Sequence, residues 1–151
     1  MLTTSPASTL GTSSSSIGTG AGTAALANSV LPLVGRIGLA AIFVLSGVSK
    51  LTAPQATIGY IASVGLPFPT VALAAAILVE LAGGALLIAG YRTRLVAALL
   101  AAFSVVTALT FHADLGDQNQ FIHFLKNIAM AGGLLQIVAF GAGRFSFDNR
   151  R

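Results

Sequence analysis

Apolar residues along this chain gather into four long blocks separated by short polar stretches, a pattern that predicts four transmembrane α-helices packed as one all-α bundle. The first block, residues 30–51 (VLPLVGRIGLAAIFVLSGVSKL), covers about 30 Å at about 1.5 Å per residue, one bilayer crossing. The second runs over residues 70–90, the third over 95–111 and the fourth over 121–141. His123, Lys126 and Asn127 dilute the start of the fourth and make it the least sharply defined boundary. Between the first two spans, TAPQATIGYIASVGLPFP carries Thr52 and Gln55 at capping-box spacing, Pro54 in the first turn and Gly65 as a stop. This predicts a short helix whose Ile58, Tyr60, Ile61 and Val64 suit either the membrane interface or packing onto the bundle. The connections at 91–94 and 112–120 are short, so successive spans should be antiparallel.

Residues 1–29 are rich in Ser, Thr, Gly and Ala, carry no charge, and predict a disordered tail. No basic segment followed by an apolar one precedes the first span, which is therefore expected to remain as an anchor. Residues 144–151 are expected to form a C-terminal tail.

Composition sharpens this picture. The chain is 55% hydrophobic and 8% charged, with a mean hydropathy of +0.89, whereas a soluble domain carries about a quarter charged residues. A soluble enzyme is excluded on that ground. The net charge of +4 comes from basic residues spread singly, so no nucleic-acid patch forms and the charge has a topological reading. Four spans place both termini and the second connection on one side, with Arg36, Arg92, Arg94, Arg144, Arg150 and Arg151, and leave Lys50 and Lys126 on the other. The positive-inside rule then predicts cytoplasmic N- and C-termini. The chain has no cysteine, so thiol exchange, iron–sulfur clusters and thiolate zinc sites would have to reside in a partner.

A charge deep in a bilayer costs at least about 2.5–3.5 kcal/mol on insertion scales, so each one needs a partner, a cavity or a role. Glu80, near the middle of the second span, is too deep to reach water and must be either paired with a cation or protonated. Arg36, Phe43, Gly47 and Lys50 form one stripe of the first helix, and His123, Lys126, Asn127 and Met130 form one face of the fourth. Together with His112 at the end of the third span, these residues make a polar cluster of Lys50, Glu80, His112, His123, Lys126 and Asn127 geometrically feasible in the outer half. Snorkelling to an interface is the competing reading for Arg36, Lys50 and Lys126, and a register-fixing ion pair is the competing reading for Glu80. The two histidines lack the carboxylate spacing of a metal site and read as interfacial polar residues. Gly83–Gly84 and Gly132–Gly133 suit close helix packing or the wall of a ligand cleft. No phosphate loop, nucleophile elbow or HExxH occurs, and no catalytic or metal-binding residue is assigned.

These residues also fall into a family pattern. The first helix reads R-x6-F-x3-G-x2-K-L (Arg36 to Leu51), the second span holds E-x2-G-G (Glu80 to Gly84), and Thr93-Arg94 opens the third. Phe111-His112-Ala113-Asp114, then HFLKNIAMAGGLL (His123 to Leu135) and GRFSFD (Gly143 to Asp148), complete it. In this the chain resembles the DoxX family of small bacterial membrane proteins over roughly Leu31 to Asp148, with the Phe-x-Lys-Asn segment its most specific part. The resemblance implies a four-helix inner-membrane protein whose relatives include the large subunit of a thiosulfate:quinone oxidoreductase and members of thiol-stress redox complexes. It points to Arg36, Gly47, Lys50, Glu80, Thr93, Arg94, His112, Lys126 and Asn127, to a quinone as the cofactor class, and to oxidoreductase subunits as partners beside the lipid bilayer. A structural or partner-anchoring bundle is the second reading, and small-solute transport, which four spans would support only as a homo-oligomer, is the third.

Overall fold

The computed structural model of the chain describes residues 18–150. Helix α1 runs from Gly18 to Thr52, α2 from Pro54 to Ser63, α3 from Pro69 to Ala89, α4 from Thr93 to Phe111 and α5 from Gln118 to Phe140. A 3-10 turn, Asp148–Arg150, follows. Among the described residues four stretches are long and apolar enough to cross a membrane: Ser29–Thr52, Pro69–Ala89, Thr93–Phe111 and Gln118–Phe140. The expected spans are therefore present, with the third and fourth beginning earlier than hydropathy alone suggests. Polar residues open the fourth helix: the Asp117 side chain accepts from the Gln120 backbone N–H at 2.8 Å and caps it.

The expected disordered tail needs correction at its inner end. Residues 1–17 lie outside the described residues, but 18–29 continue α1. Ala24, Ala25, Leu26 and Ala27 are strong helix formers, and adding turns to an existing helix requires no new nucleus. The Thr52–Gln55 capping box also does not form. Thr52 still belongs to α1, its hydroxyl donates to the Ser49 carbonyl at 2.9 Å, and Ala53 sits at the N-cap of α2. Pro54 opens α2 as expected, and Gly65, at φ +79°, ends it with its N–H on the Ala62 carbonyl.

The bundle is built mainly from two antiparallel pairs, α1 with α3 and α4 with α5, joined through α3–α4 and closed by α1–α5. Glycines set the close approaches. A Cβ on Gly84 would lie 2.7 Å from Val44 Cγ2 and 3.3 Å from the Ala40 carbonyl oxygen, and one on Gly47 would meet Leu81 at 2.8 Å. One on Gly83 would meet Leu100 at 2.9 Å. These three glycines are packing positions, as small residues at membrane helix contacts usually are. Gly132 faces open space.

The core is a thin layer of Ala40, Phe43, Leu87, Ala97, Leu100, Ala131 and Leu134, while Leu45, Val71, Leu78, Leu99, Val106 and Leu109 are at least 60% exposed around the bundle. An exposed apolar belt of this extent suits acyl chains and not water.

Candidate functional site

A cavity of about 840 Å³ opens in the half of the bundle that holds the α1–α3 connection, bounded by α1, α2, α3, α4 and α5. Lys50, Glu80, His112, His123, Lys126 and Asn127 all line it. All six members of the predicted cluster are brought together there, and Arg36, the further candidate on the Lys50 stripe, is not.

Glu80 is its centre. The residue is 4% exposed. Its Oε1 accepts from Lys50 Nζ at 2.9 Å and from Ser46 Oγ at 3.1 Å, and Lys50 also donates to Ser46 Oγ at 2.7 Å. Of the two arrangements open to a carboxyl at this depth, the ion pair is the one formed, and the partner is Lys50. Ser46, one turn before Lys50, completes the network and was not singled out from sequence, although the i, i+4 spacing on the already identified stripe marks it. The other oxygen, Glu80 Oε2, is buried without a hydrogen-bond partner. An orphaned buried acceptor costs about 1–3 kcal/mol unless something in the cavity satisfies it.

The remaining polar groups stand along the wall. His112 and His123 stack with ring centroids 5.0 Å apart, and His112 Nδ1 pairs with Gln120 Oε1 at 2.7 Å. Asn127 is buried and donates to the His123 carbonyl at 3.0 Å. Lys126 is exposed at the rim. Helix α2 forms the roof: Tyr60 stacks against Phe111 at 5.6 Å and donates to the Phe111 carbonyl at 3.0 Å. Tyr60, Thr107 and Thr110 line the cavity and were missed by sequence reasoning, because a neutral hydroxyl in an apolar run carries little hydropathy signal. Among the described residues no group of three or more His, Cys, Asp or Glu side chains lies close enough to hold a metal ion.

Arg36 serves the opposite end. It is 1% exposed and donates through one terminal nitrogen to the Phe145 carbonyl, with its other terminal nitrogen against Gly90. The C-terminal segment is thus no free tail. Phe147 N–H bonds to the Ala89 carbonyl at 3.3 Å, Asp148 N–H to the Gly90 carbonyl at 3.0 Å, and the Asp148 carboxylate accepts from the N–H groups of Arg92 and Thr93, both at 2.7 Å. A carboxylate on the first N–H groups of α4 caps that helix and complements its dipole. Thr93 and Arg94, which the resemblance also singled out, lie at this end, far from the cavity with Glu80.

An all-helical bundle with an apolar exterior, four spans, and Arg36 and Glu80 buried within it is a multi-pass membrane protein. The family model described as DoxX matches residues 31–113, and the chain belongs to the DoxX family. That match ends with α4, so the Phe-x-Lys-Asn segment lies beyond it. Two similar proteins come from Escherichia coli (strain K12). Inner membrane protein YqjF is 33% identical over 116 residues, 77% of this chain and 88% of that protein. Inner membrane protein YphA is 33% identical over 130 residues, 82% of this chain and 92% of that protein. No solved structure gives a significant match. The relatives and the four spans make this an inner-membrane protein.

Proposed function

We propose that the chain is the membrane subunit of a redox assembly and that its cavity holds the head group of a quinone. The observation that supports this most directly is Glu80, which lines a mostly apolar cavity and whose buried Oε2 has no donor of its own. A hydroquinone hydroxyl supplies that donor. Lys50 has three N–H groups and spends two on Glu80 and Ser46, which leaves one for the second ring oxygen or its carbonyl form. The chain contributes binding, orientation and a carboxylate–lysine pair through which a proton can pass. With no cysteine in the chain, thiol chemistry and the source of electrons belong to a partner oxidoreductase subunit.

Organic extraction of protein purified in mild detergent, followed by quantification of isoprenoid quinone, tests the reading. Near-stoichiometric quinone, lost in Glu80→Gln and Lys50→Met, is the expected result. Absence of bound quinone, together with no binding of added decylubiquinol, would overturn it. In that case the competing account, a partner-anchoring bundle whose ion pair only fixes helix order, stands on the same Lys50–Glu80–Ser46 geometry.

A further inference from the structure

We propose that the end of the bundle opposite the Glu80 cavity carries a binding site for a phosphate group, presented by an anionic phospholipid. A second cavity, about 630 Å³, lies where α4 begins and α5 ends, and Arg92, Arg94 and Arg144 line it together with Asp148. Asp148, whose carboxylate oxygens accept from the backbone N–H groups of Arg92 and Thr93, offsets one of these three positive charges and leaves the lining cationic. Among the described residues, none of the three guanidinium groups donates a hydrogen bond to the protein. Arg94 lies across the end of α5, since a Cβ on Gly141 would sit 3.6 Å from its Nε. That bend carries its charge from the first turn of α4 over to the cavity.

Guanidinium forks match phosphate oxygens bidentately, and three of them around one concavity exceed what a topological signal alone requires. The choice of a lipid follows from the walls. Leu95, 54% exposed, and Phe140, 81% exposed, also line this cavity. Both belong to membrane-spanning stretches. A phosphate seated among the arginines therefore has an apolar surface beside it at the depth where acyl chains begin. Basic pockets between transmembrane helices at the interface bind anionic head groups in this manner.

The test uses the full chain in mild detergent, with native mass spectrometry of bound lipid after addition of phosphatidylglycerol or phosphatidylcholine of identical acyl chains. Phosphatidylglycerol should be retained about tenfold more strongly, equivalent to a tenfold lower Kd. Simultaneous Arg92→Gln, Arg94→Gln and Arg144→Gln should abolish the preference. Should the triple variant fail to fold, Arg144→Gln alone, outside any helix, should lower it about threefold, while Arg150→Gln, which removes the same charge outside the cavity, should not. Competition by millimolar inorganic phosphate would assign the site to free phosphate as well, and its absence would assign it to the lipid. Equal retention of the two lipids, or a preference that survives the triple variant, overturns the proposal.

Discussion

Replacing Lys50 with Met leaves the Glu80 carboxylate in the bundle without its cation, and this single change should be the most damaging in the half of the bundle that holds the cavity. Glu80 is 4% exposed, and its paired oxygen would retain only the Ser46 hydroxyl. Breaking a buried pair from the side that strands a charge costs about 3–5 kcal/mol. The Lys50 side chain is 24% exposed, which places the cost at the lower end, about 3 kcal/mol. The reverse change is milder. Glu80→Gln leaves an ammonium near the cavity mouth with Ser46 as acceptor and water within reach of a long side chain, so about 1–2 kcal/mol is expected. The double variant Lys50→Met/Glu80→Gln removes both charges and should recover to within about 1 kcal/mol of the native protein, giving a coupling of about 3–4 kcal/mol. Reversible unfolding by SDS in mixed micelles measures all four proteins on one scale. A Lys50→Met variant as stable as the native chain, or a cycle that closes with no coupling, would refute the assignment of this pair. A cycle with Lys126 in place of Lys50 should show no coupling of this size, because Lys126 stands exposed at the rim.

Four further outcomes are expected. Gly84→Ala should destabilise the bundle by about 1–3 kcal/mol in the same assay, because its Cβ would press on Val44 and the Ala40 carbonyl. Gly132→Ala, which meets nothing within 4 Å, should be neutral or stabilising by about 0.5–1 kcal/mol. Asp148→Ala uncaps α4 and should cost about 1 kcal/mol, visible as faster proteolysis between residues 141 and 150 while the spans stay protected. Finally, the basic residues at the α3–α4 turn and the C-terminal segment predict that a cysteine at Asn149 is labelled by impermeant maleimide only after cells are opened, and one at Asp117 in intact spheroplasts. The opposite pattern would invert the topology.

The number and order of helices could be read directly because each span is a single unbroken apolar run and the bilayer thickness fixes how long such a run must be. The membership of the outer cluster was legible for a related reason: a lysine, a carboxylate and two histidines in such runs have few places to go. Periodicity identifies a helix face but says nothing about how far one helix slides along another, so Lys50 and Lys126 were equally eligible partners for Glu80. The same limit made Arg36 a candidate beside the cluster, since it shares a stripe with Lys50 while lying about 20 Å along the axis from it. The docked C-terminal segment left almost no trace. Its ties to Ala89 and Gly90 are backbone hydrogen bonds, which have no residue signature, and the Asp148 cap acts on a helix whose first residue is far away in sequence.

The Arg36 guanidinium makes assembly of this bundle depend on the order in which segments arrive. It enters the membrane with the first span, but the carbonyl that receives it belongs to Phe145, a residue synthesised after all four spans. Until then a buried cation has to wait near the interface, held by lipid phosphate or water.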